Sequence, residues 1–340
     1  MVEVGKIGGE TLVLDGRYIS IFRAGKLVWK RAYRGYILPD GNLYSYRRRV
    51  RITELSGNTL TDYQVKIEIG ARDPIFAHAR SAGEDIRFCY YPEENMIPYW
   101  IEKFDPVAEE AIIWVKVPSI PANSEIEIFM YYGNPTVASA SDGEATFDFF
   151  DDFEGTSLDS AKWNDAGFAG YDGMAGYYKV ENSLLKIYGD GSTWRILQAK
   201  AEFTDRIWEC KLLKTDVNDH HYALTDAAGN NAQRVCLRDV GRDKDFDAQW
   251  RVDGGTFTYT YDLLTYQTNK YYTAKLRITS DGDGRVEVNG ASAENSSSSW
   301  AGIDFTPVFW TYDTPEDWID WVFLRKYASV EPSVSIGAEE

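Results

Sequence analysis

The stretch WIDWVFLRKY, residues 318–327, is rich in aromatic and branched side chains and predicts a β-strand near the C-terminus. Asp320 interrupts this run. A carboxylate in such a strand is costly if the fold buries it without a partner. We therefore expect the fold to supply Asp320 with a hydrogen-bond donor or a cation, and the surrounding sequence indicates what kind of fold this is.

Short strand-like segments dominate the rest of the chain, and long helical periodicities are rare. Gly, Asn, Asp and Pro separate the segments at roughly the spacing of β-sandwiches. We therefore predict an all-β, multidomain fold. Examples of these segments are YQVKIEI (63–69), EAIIWVKV (110–117), EIEIFMYY (125–132) and YYTAKLRI (271–278).

The chain of 340 residues is too long for one small core. We divide it into three parts. Residues 1–43 are predicted to form an N-terminal β leader that runs into the Pro/Gly linker LPDGNLYSY (38–46). Residues 44–146 are predicted to form a β-sandwich domain, and residues 147–340 a larger β domain.

Charge is unevenly distributed along the chain. The net charge of −17 argues against nucleic acid or an anionic membrane as the main partner. Residues 1–51, however, carry 11 Lys and Arg against 4 Asp and Glu, among them Arg47, Arg48, Arg49 and Arg51. This basic segment is either a solvated linker or a docking segment for an acidic partner subunit.

The N-terminus, MVEVGKIGGETLVLDGR, lacks the apolar core of a signal peptide. No apolar run approaches the ~20 residues that a membrane span needs. We therefore expect synthesis in the cytoplasm, no membrane span, and release by lysis or assembly into a particle. The three cysteines do not make a disulfide framework. The oligomeric state is left open, and a homo-oligomer is one option.

The middle of the chain carries a recognisable series of segments. It resembles domain of unknown function 2341, a family found in bacterial and archaeal surface or multidomain proteins. The resemblance implies a β module without a known activity, often followed by a concanavalin-like jelly roll. The segments are SGNTLTDYQVKI (56–67), EDIRFCYY (84–91), IPYWIE (97–102), IWVKVPSIPANSEIEIFMYYGNP (113–135) and ASASDG (138–143).

The third part resembles concanavalin-like and laminin-G-like sandwiches, which include the family-16 glycoside hydrolases. FFDDFEGTSLDSAKW (149–163) is similar to their opening strand, YKVENSLLKI (178–187) to their second hairpin, and WIDWVFLRKY to their last strand. The resemblance implies a concanavalin A-like jelly roll. The leader, KIGGETLVLDGRYISIFRAGKLVWKR (6–31), resembles N-terminal segments of tailed-virus tail proteins.

The jelly-roll resemblance implies a structural Ca²⁺ site. In that family the aspartate of the last strand binds Ca²⁺ together with backbone carbonyls of the opening segment and of the second hairpin turn. The implied ligands in this chain are Asp320, Asp152 and Ser183, with Asp151, Phe153 and Asn182 beside them. One carboxylate with several carbonyls suits Ca²⁺. This chain has Ser183 where the family usually has Gly, and the alternative is an Asp320 that accepts from backbone N–H groups.

Glycosidases of the resembled fold carry the pattern Glu-x-Asp-x-Glu on one strand, which places all three side chains on one sheet face. This chain lacks the pattern. Its nearest segment, RDKDFDAQW (242–250), places Asp243, Asp245 and Asp247 at alternate positions. We interpret this segment as a solvated acidic turn or edge, with a weak Ca²⁺ site as the alternative. We therefore predict no catalytic residues and a protein that is not an enzyme.

Aromatic residues are the candidate ligand contacts. In TFTYTYDLL (256–264) the aromatic and threonine residues alternate, which indicates a half-buried strand. Such stripes usually pack a core, and the alternative is a platform on which sugar rings stack. Trp300 and Trp310 share this ambiguity. The candidate ligand-binding residues are His221, Trp194, Trp250, Tyr259 and Tyr261.

These observations predict a non-enzymatic structural or adhesin protein of a virion, associated with its tail or surface. Its basic N-terminal region would bind other virion subunits, and its jelly roll would contact a host glycan or a partner subunit. One alternative is a cell-surface or filament protein of an archaeon or bacterium. The other is a polysaccharide hydrolase of the concanavalin-like class.

Overall fold

The computed structural model describes residues 2–7, 10–15, 18–32, 35–90, 95–167, 171–215, 219–226, 233–240, 244–312 and 317–340. Within these residues the fold is built almost wholly of antiparallel strands, which confirms the predicted all-β, multidomain class with a jelly roll. The chain divides into two compact units. Unit 1 comprises Met1–Thr146 with Ala328–Glu340, and unit 2 comprises Phe147–Tyr327.

Unit 1 contains fourteen strands in the part of the chain that is described. It also contains two one-turn helices, α1 (Ile75–His78) and α2 (Gly143–Thr146). The first thirteen strands are β1 (Val2–Ile7), β2 (Glu10–Asp15), β3 (Tyr18–Arg23), β4 (Lys26–Ala32), β5 (Tyr36–Ile37), β6 (Leu43–Tyr44), β7 (Tyr46–Thr53), β8 (Leu60–Ile69), β9 (Arg87–Tyr90), β10 (Asn95–Met96), β11 (Tyr99–Asp105), β12 (Glu110–Ile120) and β13 (Glu125–Tyr132).

Unit 2 contains the next sixteen strands of the described chain and one 3₁₀ turn, Ser298–Trp300. The strands are β14 (Phe149–Asp151), β15 (Trp163–Asn164), β16 (Asp172–Gly173), β17 (Tyr178–Glu181), β18 (Leu184–Ile187), β19 (Arg195–Ala199), β20 (Arg206–Lys214), β21 (Asp219–Asp226), β22 (Arg234–Val240), β23 (Asp245–Arg251), β24 (Thr258–Thr265), β25 (Lys270–Ile278), β26 (Asp283–Val288), β27 (Ala291–Ser296), β28 (Phe305–Thr311) and β29 (Asp317–Lys326). The last strand, β30 (Ser333–Glu339), belongs to unit 1.

The leader forms its own antiparallel sheet in unit 1, in the order β1-β2-β3-β4. Strands β3 and β4 are joined at Ala24 and Gly25, which both have positive φ (47° and 75°). Two consecutive residues in this region match the twist of a two-residue hairpin. The predicted β leader is therefore present as a four-stranded meander.

The rest of unit 1 is a sandwich of a five-stranded sheet, in the order β10-β9-β13-β7-β30, and a three-stranded sheet, β11-β12-β8. Alternation along β7 and β8 turns Val50, Ile52, Val65 and Ile67 into the core between the sheets. Strand β30 pairs antiparallel with β7, so residues 328–340 complete the first unit, although the sequence analysis assigns them to the third domain.

The arginine cluster of the basic segment lies on β7, and its side chains divide between the two faces of the strand. Arg47, Arg49 and Arg51 alternate along it and meet carboxylates of β13 and of Glu340, which directly follows β30. Arg49 Nε lies 3.2 Å from a Glu340 oxygen, and Arg51 Nε lies 3.1 Å from a Glu127 oxygen. These arginines thus have intramolecular partners, and docking of another subunit on them stays a prediction.

Unit 2 is a jelly roll of two eight-stranded sheets in the part of the chain that the structure describes. Sheet I has the order β17-β18-β29-β20-β25-β26-β27, with β14 paired to β29. Sheet II has the order β15-β19-β28-β21-β22-β23-β24, with β16 paired to β19. Their facing side chains form one core, which includes Trp208, Phe309, Trp163 and Tyr222. Burial of each large aromatic ring stabilises the fold by roughly 1.5–3 kcal/mol.

The stretch WIDWVFLRKY lies on β29, which pairs with β18, β14 and β20. In sheet I this pairing therefore joins the last strand of unit 2 to its opening strand, β14. Ile319 and Val322 point into the core. The register slips opposite Lys211, so Asp320 lies at a bulge and its carboxylate is 2.5 Å from the Lys211 ammonium. The partner that this strand requires for Asp320 is therefore a lysine of the neighbouring strand.

Candidate functional site

The candidate site lies on the outer face of sheet II, meaning the face that points away from the jelly-roll core. Strand β22 shows how the sequence builds this face. Val235 and Leu237 point into the core, so the alternating residues Arg234, Cys236 and Arg238 point outward. A small apolar cluster that includes Cys236 underlies the outer face, with Ile196, Ala223, Val308 and Trp310.

Neighbouring strands supply the remaining walls of a pocket of about 220 Å³ on this face. In register order, His221 of β21 lies between Trp310 of β28 and Arg238 of β22. Gln249 of β23 pairs with Tyr259 of β24. The residues that line the pocket are Tyr171, Trp194, His221, Arg234, Arg238, Gln249, Phe257, Tyr259 and Trp310.

Aromatic rings form two sides of the pocket. On one side the Trp194 ring lies 4.8 Å from the His221 ring, and Tyr171 stacks on Trp310 with ring centroids 5.7 Å apart. On the other side Tyr259 carries the guanidinium of Arg238 4.7 Å above its ring. Flat apolar faces and polar groups therefore alternate around the opening.

The polar floor of the pocket has unused hydrogen-bonding capacity. The side-chain oxygen of Gln249 is buried and accepts no hydrogen bond within the described part of the chain. The buried Nε–H of Arg234 likewise donates no hydrogen bond there, while a terminal nitrogen of Arg234 donates to His221 Nδ1 and to Cys236 Sγ, the latter at 3.2 Å. A ligand in the pocket would find both an acceptor and donors.

Carboxylates stand beside the pocket on β23. Phe246, Ala248 and Trp250 point into the core, so Asp245, Asp247 and Gln249 share the outer face. Asp247 is only 3 % exposed and accepts a hydrogen bond of 3.0 Å from the backbone of Asp262. The predicted solvated acidic turn is therefore wrong for Asp247, while Asp243 lies outside the described residues.

Of the five predicted ligand contacts, three line the pocket and two lie elsewhere. His221, Trp194 and Tyr259 line the pocket. Trp250 does not, because it alternates with Gln249 and packs in the core at 2 % exposure. Tyr261 is 62 % exposed and stacks on Tyr259 at 5.3 Å, outside the pocket lining.

Arg234 and Arg238 were missed by the sequence analysis. The signal that could have found them is the segment RVCLRDV (234–240), in which Val235 and Leu237 alternate with polar residues. Phe257 belongs to the aromatic stripe of TFTYTYDLL, whose alternative reading as a sugar platform already pointed to it, whereas Tyr171 had no comparable signal, because it reaches the pocket from outside the regular strands.

The implied Ca²⁺ ligands can be compared with this geometry. Asp320 is paired with Lys211, so a cation bound there would have to displace the ammonium. Burial, with help from neighbouring carboxylates, raises the pKa of Asp152. Ser183 has a positive φ of 58°, in the left-handed turn where the family has Gly. Among the described residues no three His, Cys, Asp or Glu side chains cluster as metal ligands, and Ca²⁺ binding stays a prediction.

No helix in the described residues is long and apolar enough to cross a membrane.

Several solved structures are similar to part of this chain, and two of the following three are glucanases. The endo-β-1,3-glucanase of Pyrococcus furiosus matches with 13 % identity and a TM-score of 0.43, over 54 % of this chain and 95 % of that one. LamAcat of Zobellia galactanivorans matches with 16 % identity and a TM-score of 0.42, over 53 % and 97 %. The endo-1,3-β-glucanase catalytic domain of Thermotoga petrophila matches with 12 % identity and a TM-score of 0.42, also over 53 % and 97 %.

These matches contradict the prediction that the chain is not an enzyme, because the matched proteins are glucanases. At such low identity the likeness itself concerns the fold. The resemblance of the leader to tail proteins finds no support in these comparisons. No curated protein sequence matches the chain.

Residues 82–166 match the family described as Domain of unknown function (DUF2341). This match confirms the resemblance seen in the middle of the sequence. It covers β9 to β13 of unit 1 and continues through β14 and β15 at the start of unit 2.

Proposed function

We propose that unit 2 binds a polysaccharide in the pocket on the outer face of sheet II. The observation that carries the proposal is the convergence of aromatic rings with unused polar groups on one depression. The half-buried Trp194 ring offers a flat apolar face to the C–H face of a pyranose, while Tyr259 holds the Arg238 guanidinium at the pocket wall. Gln249 and the arginines offer an acceptor and donors to its hydroxyl groups.

The size of the pocket supports a polymer rather than a small free ligand. Sites for small molecules usually enclose roughly 300–1,000 Å³, whereas this one measures about 220 Å³ and is open. It therefore fits one part of a longer chain, with the rest of the polymer lying along the sheet. Tyr261, exposed and stacked beside Tyr259, is placed to extend that contact.

Polysaccharide binding by the full chain tests the proposal. We expect Trp194→Ala and Tyr259→Ala each to weaken binding by about tenfold or more, because the first removes a stacking face and the second removes the ring that positions Arg238. Tyr271→Ala is the matched control, since Tyr271 is an exposed tyrosine on sheet I. Calorimetric titration with a panel of polysaccharides measures the effect. Equal affinity in parent and both pocket variants would contradict the proposal.

Hydrolysis of the bound polymer is a second candidate function. It is favoured by Asp245 and Asp247, which share the outer face of β23 at alternate positions. Retaining and inverting glycosidases both need two carboxyl groups, and the third position of this strand is the amide Gln249. Release of reducing ends that is lost in both Asp245→Asn and Asp247→Asn would support hydrolysis. Binding without new reducing ends would count against it.

Placement in a virus particle rests on the sequence alone and is kept as a proposal, with the cell surface as its alternative. Its support is the modular β layout of the chain, which combines a leader sheet, a sandwich and a jelly roll. Electron microscopy of particles labelled with an antibody to this chain would test it. Labelling confined to host cells would contradict it.

A further inference from the structure

The pocket contains an arginine whose charge has no carboxylate partner among the described residues. Arg234 is 3 % exposed and contacts His221 Nδ1 and Cys236 Sγ, while its Nε hydrogen bonds to nothing in the described chain. Its guanidinium lies 3.8 Å from the Trp310 ring centroid and 5.3 Å from that of Phe257. The positive charge of Arg234 is thus surrounded by a weak sulfur acceptor, an imidazole nitrogen and two aromatic rings.

This arrangement is costly for an unliganded protein. A buried charge without a counterion loses hydration that its surroundings must replace, and cation–π contacts return only part of that loss. Burial accordingly lowers the pKa of Arg234, because the uncharged form needs less hydration. Buried groups whose pKa is perturbed in this way cluster at binding and catalytic sites.

A second arginine adds to the positive charge of the pocket. Arg238 lies over Tyr259, and its Nε is 3.6 Å from an Asp247 oxygen, beyond hydrogen-bonding distance. Asp247 also accepts from the backbone of Asp262. The described residues that line the pocket therefore include two arginines and no carboxylate, in a chain whose net charge is −17.

We propose that the ligand carries an anionic group, a uronate carboxylate or a sulfate ester, which Arg234 and Arg238 bind. This inference rests on the proposed polysaccharide function of the same pocket and names its substrate class. Guanidinium groups bind planar and tetrahedral oxyanions through paired N–H donors. The Nε groups of Arg234 and Arg238, neither of which donates a hydrogen bond within the described chain, supply such donors at the pocket floor and wall, although Asp247 lies 3.6 Å from the second.

The competing explanation is that Arg234 has only a structural role, holding His221 and Trp310 in place. The two explanations predict opposite effects on stability. A structural arginine would make Arg234→Gln less stable than the parent. An arginine kept for a ligand makes Arg234→Gln at least as stable, because the uncompensated charge is gone.

Matched polysaccharides test the proposal on the full chain. The probes are polygalacturonate, a sulfated galactan, the same galactan after chemical desulfation, and laminarin as a neutral polymer. We expect a carboxylated or sulfated polymer to bind about tenfold tighter or more than the neutral ones. Arg234→Gln and Arg238→Gln should each remove that preference while neutral binding changes by less than about threefold. Arg285→Gln is the control, since Arg285 pairs with glutamates on sheet I.

Each outcome decides the matter. Preference for the uronate or for the sulfate identifies the source of the anion and supports the proposal. Tight binding of neutral polymers without an anionic preference overturns this inference and leaves the proposed function standing. Absence of binding to every polymer overturns both. Anionic binding that survives both pocket substitutions overturns the inference. So does an Arg234→Gln variant that melts at a lower temperature than the parent but keeps the preference for anionic polymers. Arg238→Gln keeps the test valid if Arg234→Gln does not fold.

Discussion

Two carboxylates on neighbouring strands of sheet I meet cations in different environments. Asp320 on β29 pairs with Lys211 at 2.5 Å, and both side chains keep more than a quarter of their surface exposed (27 % and 29 %). Glu209 on β20 pairs with Arg325, also at 2.5 Å, but both are nearly buried. Solvent screens the charges of the exposed pair. In the buried pair, each charge depends on the other for compensation.

We therefore predict that Asp320→Asn lowers the free energy of unfolding by less than about 1 kcal/mol. Glu209→Gln should cost about 3 kcal/mol or more, because it leaves the buried charge of Arg325 without its counterion. Urea unfolding of the two variants measures the difference. Equal losses would show that exposure does not separate the pairs.

Thermal melting of the same proteins with Ca²⁺ and after chelation tests the implied Ca²⁺ site. An unchanged melting midpoint would contradict Ca²⁺ binding there.

At the scale of elements, β30 is the strand whose role depends on distant parts of the chain. It extends the five-stranded sheet of unit 1 along β7, and Val334 and Ile336 pack on the core of that unit. Glu339 accepts from the Tyr132 hydroxyl at 2.7 Å and contacts His78 Nδ1 at 2.8 Å. Burial, together with this bond to Glu339, raises the pKa of Tyr132.

Removal of residues 328–340 is expected to destabilise unit 1 by about 2–4 kcal/mol, from the apolar surface exposed and the edge of β7 left without a partner. Hydrogen exchange should accelerate on β7 and stay unchanged on β20 of unit 2. Glu339→Gln is the milder variant, and Val330→Ser, at an exposed position, is the control. Faster exchange on β20 than on β7 would contradict this role.

At the scale of the whole molecule, the two units should respond differently to acid. His220 is fully buried on β21, and burial, followed by the charges of Lys214 and His221, holds its pKa well below the ordinary value. Unfolding lets this imidazole bind a proton at pH below about 6.5. The unfolded state then binds more protons than the native state, so the stability of unit 2 falls as pH falls below about 6.5.

We expect a loss of up to ~1.4 kcal/mol per pH unit from this residue, continuing until the native-state pKa is reached. Tryptophan fluorescence during urea unfolding between pH 7 and 5 measures it, since unit 2 holds most of the 11 tryptophans. His220→Gln should flatten the slope, whereas His78→Gln in unit 1 should leave it unchanged. A slope identical in parent and His220→Gln would contradict the assignment.

Much of the fold follows from local patterns. Alternation along β7, β22 and β25 predicts strands with one buried face, and the turn residues separate them at sandwich spacing. Strand β28, FTPVFWT, is buried at every position, so its sequence cannot show that Trp310 faces the pocket while Phe309 faces the core. Trp250 was predicted as a ligand contact for the same reason, since the sequence of β23 does not show which of its faces is buried.

The sequence by itself determined the all-β class and several aromatic residues of the pocket, because strand class and aromatic stripes depend on the order and period of side chains along the chain. Only the tertiary structure decided which residues meet. Strand register brings Lys211 to Asp320, sets Arg234 over Trp310, and leaves the Gln249 oxygen facing a pocket. Such pairings arise between strands distant in sequence, where the energies of packing and charge are shared across a sheet and no local pattern records them.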